Sequence, residues 1–551
     1  MSQYTLPIEK FYQWENELAD KTFFRQAYNG QWLHTTWKKA GDEIRRMANY
    51  LISLDLPPQS KIAIISKNCA HWVMSDLAIM MSGHVSVPLY PTIPGDLINY
   101  CLEHSEAKVC FVGKLDDWSK QRHGVPNDVK VITYPLWTEQ GENYTNWDDI
   151  TKNTEPIRNN PIPKPDDLIT IIYTSGTTGL PKGVLHNHHA FAFAAYSAIN
   201  ILAELGSSDR FFSYLPLSHI AERMLVEMGS IYTGGSMSFA ESLDTFAANL
   251  KDTKPTVFLA VPRIWTKFQM GILGKMDQRK LDILTKIPIV GGVVKNKIKE
   301  GLGLDKTKFL LTGAAPLPAA TMQWFEDIGF IIYEAYAMTE NCAYSHLSLP
   351  GKRKIGSVGC SLPNNDVRLS EEGEIQVRSD AVMIGYYKED EKTKEAITSD
   401  GWLCTGDQGE IDDQGFLRIT GRVKDLFKTD KGKYVAPAPI ENELSKCTLI
   451  EQVCVVGANL PQTIALIVLS ADAKALDKAE IEEKLVEAIK DVNKSLDKHE
   501  KMKKAVIMQE EWTIENNLMT PTLKVKRNIL EKQKKDFYAK WYNEGGNIVW
   551  E

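Results

Sequence analysis

The sequence predicts an α/β protein of more than one domain, and three observations lead there. Apolar strand-like runs alternate with helical patterns from residue 36 to 112, as in a largely parallel sheet. Residues 354–380 alternate apolar and polar around turns at Asn364-Asn365 and Glu372-Gly373, the pattern of a small antiparallel sheet or barrel. The 551 residues exceed what one ordinary core holds, and the 127 residues after Lys424 are lysine-rich with a strand–helix pattern of their own.

Taken in order, residues 36–54 are predicted helical because Ile44, Met47, Ala48 and Leu51 share one face. Residues 61–66, 86–90 and 108–112 are apolar strands, and 71–81 is apolar enough for a buried helix. Residues 156–167 hold four prolines and predict an exposed connector. A buried strand follows over 168–173, then a helix rich in alanine and aromatics over 188–205. A further strand is expected at 256–261, and the runs 309–316 and 330–340 each read as a strand ending in a turn. Beyond Lys424, 454–469 gives strands, 481–496 an amphipathic helix and 505–508 a strand.

Composition excludes several classes. A 43% hydrophobic and 25% charged chain is a globular one. Its net charge of −7 supplies no basic field for nucleic acid, so none is expected as a partner. No run of 18 apolar residues predicts a membrane-spanning helix, and the first ten residues lack the pattern of a signal peptide. The eight cysteines are scattered without a Cys-x-x-Cys pair, so reduced thiols in a cytoplasmic protein are expected. His186, His188 and His189 cluster without acidic neighbours, and no metal is assigned to them. The lysines of 271–304 surround Ile287-Pro288-Ile289-Val290; a solvated helix pair and peripheral contact with anionic lipid both stay open, as does a homodimer.

The chemistry concentrates at strand ends. Thr174, Ser175, Gly176, Thr177, Thr178 and Gly179 follow the 168–173 strand, with Lys182 behind. Glycines let backbone N–H groups turn toward an anion, hydroxyls add donors and the lysine adds charge, so the run predicts a phosphate cradle. It is not a Walker A loop, because Lys182 follows Pro181 and precedes Gly183. Gly313, Ala314 and Ala315 end one strand; Glu334, Ala335, Tyr336, Ala337, Thr339 and Glu340 end another. Small residues beside an aromatic suit a planar ring, and strand ends on one sheet edge converge on a ligand crevice. His219 is expected to end an apolar strand beside a proline turn.

The run Tyr-Thr-Ser-Gly-Thr-Thr-Gly-Leu-Pro-Lys-Gly, residues 173–183, resembles the signature loop of the AMP-forming adenylating enzymes: acyl-CoA synthetases, luciferases and peptide adenylation domains. Leu-Pro-Leu-Ser-His-Ile-Ala-Glu-Arg (215–223), Asp-Gly-Trp-Leu-Cys-Thr-Gly-Asp (400–407), Gly-Arg-Val-Lys-Asp (421–425) and Thr-Pro-Thr-Leu-Lys (520–524) are similar to later motifs of that family, closest to its long-chain fatty acyl-CoA synthetases. The resemblance implies stacked, mostly parallel α/β sheets plus a small β-barrel over 1–422, and a mobile α+β cap over 423–551. It implies ATP, Mg²⁺ and coenzyme A as cofactors and co-substrates, and a fatty acid of long or medium chain as substrate. It implies Tyr336 against adenine, Thr339 on the α-phosphate, Thr174 and Glu340 on Mg²⁺, and Asp407 with Arg422 on ribose. It further implies Lys424 as pivot, His219 beside the acyl and pantetheine channel, Lys428 near the nucleotide, and Lys524 as catalytic lysine. Three positions depart from the family: Ala335 and Ala337 replace glycines and narrow the allowed backbone angles, and Cys404 stands where histidine is usual. An acyl-AMP ligase serving a carrier protein or amine, and a non-catalytic binding module, stay open as alternatives.

Overall fold

The strand Lys61–Ile65 explains why its sequence is apolar without alternation. Ile62 and Ile64 enter one apolar cluster and Ala63 and Ile65 another, so both faces are covered. The computed structural model describes residues 4–136, 144–174, 180–202, 204–471, 473–520 and 524–551. Ser175, Gly176, Thr177, Thr178 and Gly179 lie outside the described residues.

Contacts divide the chain into two compact units. The larger comprises 1–174, 181–366 and 377–403. Among its described residues, one sheet runs Gly385–Tyr386, Lys182–Asn187, Leu168–Thr174, Val85–Leu89, Lys61–Ile65, Val109–Val112, Lys130–Thr133, Thr145–Asn146. Its centre is parallel, while Lys182–Asn187 pairs antiparallel with both neighbours. A second sheet runs Cys360–Ser361, His346–Leu347, Ile332–Tyr336, Phe309–Thr312, Val257–Ala260, Arg210–Ser213, Ser236–Phe239, Thr22–Tyr28, Gln31–Thr36. A single apolar cluster takes inward residues from both sheets, among them Ile64, Phe111, Phe211 and Leu311, together with helices Ala70–Met81 and His188–Ile201. Helix Ala70–Met81 is buried almost all round, which is why its sequence shows no polar face.

A charged knot is sealed in this core. Arg223 lies in the π-helix Arg223–Met228, fully buried, and donates to Asp76 Oδ2 at 2.6 Å, Glu227 Oε2 at 3.3 Å and Thr170 Oγ1 at 2.8 Å. Burial and then the Asp76 charge push the Glu227 carboxyl well above its ordinary range.

Most boundaries fall within a few residues of expectation. The predicted 36–54 helix is Trp37–Ser53, capped by Thr36 Oγ1, and the 481–496 helix begins earlier, at Lys478, where Asp477 caps it. The predicted 188–205 helix stops at Ile201.

The smaller unit gathers 367–376 and 404–551. It holds most of an antiparallel sheet ordered Asp366–Leu369, Glu374–Arg378, Leu403–Ile411, Leu417–Arg422. It also holds a sheet of Ile450–Val456, Thr463–Leu469, Met502–Ile507 and Ile548–Trp550, with helix Lys478–Asn493 packed on it. Val455, Ala465 and Ile467 enter one cluster and Cys454, Leu466 and Val468 another, so this sheet too is apolar on both faces.

Candidate active site

In the larger unit, Thr174 is the last residue of strand Leu168–Thr174 and pairs directly with Lys182, the first residue of the next strand. The two therefore form the base of the loop between them. Gly183 must be glycine there, since a Cβ would come within 2.7 Å of Ile171 Cγ2. Lys182 Nζ sits 4.1 Å from the ring centroid of Tyr386. The Tyr386 hydroxyl donates to Glu340 Oε1 at 2.9 Å. Burial first, then the Glu340 charge, raises the Tyr386 phenol above its ordinary value, so it stays a donor.

Glu340 is buried in the one-turn helix Thr339–Asn341, which follows strand Ile332–Tyr336. Besides the backbone bonds within it, four hydrogen bonds among the described residues hold that turn. Met338 N–H donates to Asn341 Oδ1 at 2.9 Å and Met383 N–H to the Glu340 carbonyl at 2.8 Å. The Tyr386 bond is the third. In the fourth, His186 Nε2 lies 2.7 Å from the Thr339 carbonyl oxygen. A carbonyl only accepts, so Nε2 carries the proton and Nδ1 accepts from the Cys342 thiol at 3.2 Å. Burial pulls His186 down to about 4, which keeps it neutral. His189 instead faces Asp380 Oδ2 at 3.2 Å, and His188 is buried and neutral with its pKa lowered to about 4. Neither His186 nor Tyr386 carried a sequence signal: their partners are 153 and 46 residues away.

Strands Phe309–Thr312 and Ile332–Tyr336 are parallel neighbours, so Gly313, Ala314 and Ala315 end beside Ala335, Tyr336 and Ala337. A Cβ on Gly313 would approach the Ala335 carbonyl oxygen to 3.3 Å, so the two turns lie close. Ala335 and Ala337 have negative φ, whereas Ala314 sits at φ +65°. The two alanines therefore keep to backbone angles open to any residue, and the left-handed residue of the two turns is Ala314. Tyr336 is half-buried with its ring 6.0 Å from that of His346.

Glu334 Oε1 accepts the Leu317 N–H at 3.2 Å, and burial pushes its carboxyl from 4.5 up to about 7. Between these values the folded chain holds more protons than the unfolded one. Stability from this group is therefore full below 4.5 and declines as pH rises to 7, by roughly 3 kcal/mol at most. Glu334→Gln keeps the acceptor and removes the titration. Its melting temperature should exceed that of the wild type at pH 8 and match it near pH 4.5 in scanning calorimetry. An offset of equal size at both pH values would contradict this.

The strand before His219 ends at Ser213, so the expectation that His219 terminates a strand is corrected. His219 Nδ1 instead accepts the Ala221 N–H at 3.2 Å and caps the short helix Ile220–Glu222. The proline turn Leu215-Pro216-Leu217 carries the chain between them, and Asn68 accepts from Leu217 N–H and donates to the Leu215 carbonyl.

In the smaller unit, Asp407 and Arg422 face each other across adjacent strands, and Arg422 Nε donates to Asp407 Oδ1 at 2.8 Å. Lys424 follows in the turn Val423–Asp425, exposed, and Lys428 Nζ lies 4.8 Å from the Tyr434 ring. Lys524 is held by its backbone. Its N–H donates to Thr520 Oγ1 at 3.0 Å and its carbonyl accepts from Thr520 N–H at 2.8 Å. Three residues on, Arg527 donates to the Val455 carbonyl and pairs with Glu441, anchoring the helix Arg527–Lys534. The Lys524 side chain reaches solvent, yet the protein packed around it and then the Arg422 charge lower its pKa, with Asp407 opposing. Lys524, Arg422 and Asp407 thus share one electrostatic neighbourhood.

The residues suit a nucleotide and a hard cation. Among those described, no three His, Cys, Asp or Glu side chains are grouped to hold a metal by themselves. Glu340 offers one carboxylate in a turn fixed by its backbone, which matches a cation whose other ligands come from substrate phosphates and water.

Comparison with known proteins gives the family and the fold. The AMP-binding enzyme family matches residues 11–387, and the AMP-binding enzyme C-terminal domain matches 424–544. Long chain acyl-CoA synthetase 5 of Arabidopsis thaliana is 30% identical over 94% of this chain and 88% of its own length. Long-chain-fatty-acid–CoA ligase ACSBG2 of Gallus gallus is 27% identical over 97% of this chain and 81% of its own. Among solved structures, ATP-bound MatB from Rhodopseudomonas palustris superposes with a TM-score of 0.75 at 23% identity, covering 97% of this chain and all of that one. The anthranilate CoA ligase AuaEII in complex with anthranoyl-AMP gives 0.77 at 20% identity, covering 98% and 99%. The chain belongs to the AMP-binding enzymes, the family of AMP-forming acid–CoA ligases and related adenylating enzymes.

Proposed function

We propose that this chain is an ATP-dependent fatty acid–CoA ligase favouring long or medium acyl chains. The observation that carries the reading is the name shared by relatives matched over nearly the whole chain: long-chain fatty acid–CoA ligases and a long chain acyl-CoA synthetase.

A carboxylate is a poor acyl donor because oxide would have to leave. In the first step its oxygen attacks the α-phosphorus of ATP, and pyrophosphate departs in line with the electrons of the broken P–O bond. Negative charge gathers on the phosphate oxygens, so fixed cations and donors lower the barrier. We assign Lys182, with Thr174 and the loop of Ser175, Gly176, Thr177, Thr178 and Gly179, to the β- and γ-phosphates. Thr339 is assigned to the α-phosphate, Lys524 to the charge of the transition state, and Asp407 and Arg422 to the ribose. Tyr336, in the Ala335–Ala337 turn beside Gly313–Ala315, is assigned to the adenine. Mg²⁺, held by Glu340 and Thr174, would supply charge neutralisation at the phosphates. In the second step the CoA thiolate attacks the acyl carbon, forming the thioester and releasing AMP. His219 is assigned to the border of the acyl and pantetheine channel. Lys424 is assigned to the pivot between a 1–422 domain and a 423–551 cap, and Lys428 to the nucleotide's surroundings.

A pyrophosphate-release assay across acids from acetate to oleate, with and without CoA, tests the reading. Turnover should rise toward the longer acids and require CoA. Sustained turnover without CoA would favour the acyl-AMP ligase, and a preference for acetate would overturn the chain-length assignment.

A further inference from the structure

Helices Gln278–Lys286 and Val290–Leu302 form an antiparallel hairpin in the larger unit. Its inner face is accounted for: Leu281 is fully buried, and Val294, Ile298 and Leu302 pack on the core cluster around Phe325. Its outer end is apolar as well. Ile283 is 63% exposed, Ile289 88% and Val293 51%, with Ile287 and Val290 also exposed. Ile289 at the connecting turn has φ +68°, a left-handed conformation strained for a β-branched residue, and its side chain packs on almost nothing.

Charge is arranged behind this tip. Residues 275–302 hold Lys275, Arg279, Lys280, Lys286, Lys295, Lys297 and Lys299 against Asp277, Asp282 and Glu300, a positive segment in a chain of net charge −7. Asp277 is spent as the cap on Lys280 N–H and Asp282 accepts from Gln278. On the first helix Arg279 and Lys280 precede Ile283 and Ile287 by about one and two turns. On the second, Val290 and Val293 lead to Lys297. At 1.5 Å per residue Lys280 and Lys297 stand about 10 Å behind the apolar end of their helices and Lys295 about 8 Å behind it, while Lys286 lies at the end itself, beside Ile287. That matches the depth to which an interfacial helix buries its apolar face, with cations at the phosphate level.

We propose that the 278–302 hairpin is a membrane-docking tip, inserting Ile283, Ile287, Ile289, Val290 and Val293 into the headgroup region of an anionic bilayer. The proposal is independent of which acid the enzyme takes. It is tested by flotation of the full-length protein with phosphatidylcholine vesicles made with and without phosphatidylglycerol. Two variants accompany it: Ile283→Gln/Ile287→Gln/Ile289→Asn, and Lys280→Glu/Lys297→Glu. Asparagine tolerates a positive φ, so the first variant relieves strain as it removes apolar surface. The wild type should float with the anionic vesicles, less so in high salt. Each variant should partition at least about tenfold less while keeping its turnover of a water-soluble acid. If the first variant fails to fold, the lysine variant decides. No flotation of the wild type with either vesicle, or variants that float unchanged, would overturn the proposal. So would variants that leave flotation absent but abolish a concentration-dependent dimer in sedimentation, which would give the tip to a second copy.

Discussion

Glu340→Gln should lower the rate of acyl-AMP formation at least a hundredfold while leaving the melting temperature nearly unchanged. The side chain keeps its shape, and its Oε1 still accepts from the Tyr386 hydroxyl, whose bond is 2.9 Å in the wild type. The backbone bonds from Met383 to the Glu340 carbonyl and from His186 to the Thr339 carbonyl are untouched. What disappears is one unit of negative charge in a buried turn, the charge that would hold the cation against the phosphates. Losing one preorganised electrostatic contact of this kind costs about 3 kcal/mol of barrier, or a hundredfold. Tyr386→Phe makes the contrast, because it removes the donor and leaves the charge; its loss should stay under about tenfold. Stopped-flow measurement of pyrophosphate release at saturating ATP checks both. A Glu340→Gln enzyme at full rate would remove Glu340 from the chemistry.

Most of the fold was legible because the central strands are buried on both faces. Continuous apolar runs such as 61–65 and 108–112 have no other use in a chain of this composition, and the alternation of strands with helices fixes a parallel sheet. Capping side chains stand at the helix starts after Thr36, Asn187 and Asp477; the apolar pattern places the first two starts within one residue and the third at 481, three residues late. The π-helix Arg223–Met228 was not legible, since its wide turn goes with an arginine whose partners Asp76 and Thr170 come from distant segments. Nor was the hairpin of Thr22–Tyr28 and Gln31–Thr36, which adds to the edge of a sheet whose other strands lie beyond residue 200.

The site was legible where it is local. A strand followed by glycines, hydroxyls and a lysine reads as an anion cradle, its loop lying outside the described residues, and Asp407 and Arg422 stand in recognisable motifs that prove to face one another. It was illegible where it is assembled at long range. His186 occupies a buried strand position, where a histidine signals nothing until the Thr339 carbonyl and the Cys342 thiol are found against its two nitrogens. Tyr386 is one of two adjacent tyrosines, and only its pairing opposite Val184 brings it to both Lys182 and Glu340. His219 was placed at a strand end because the apolar run before it continues through Leu215 and Leu217; Pro216 and the Asn68 bonds break that run into a loop.

Lys524 carries the second large effect, and it separates the two halves of the reaction. Its backbone is pinned to Thr520, and its charge sits with those of Arg422 and Asp407. Lys524→Ala should therefore leave the smaller unit folded while removing a positive charge that, in the proposed mechanism, only the phosphoryl-transfer step requires. Attack of a thiolate on a finished acyl-adenylate develops its charge on the acyl oxygen and expels AMP already formed, so this lysine is not needed there. The expected loss is at least about a hundredfold in adenylation, with thioester formation from supplied acyl-AMP kept within about threefold. The decisive measurement is a pair of single-turnover assays on wild type and Lys524→Ala, one starting from fatty acid with ATP and the other from synthetic acyl-AMP with CoA. Two-step chemistry with a lysine dedicated to adenylation predicts collapse of the first reaction and survival of the second. Equal loss in both, with the fold intact by circular dichroism, would contradict it.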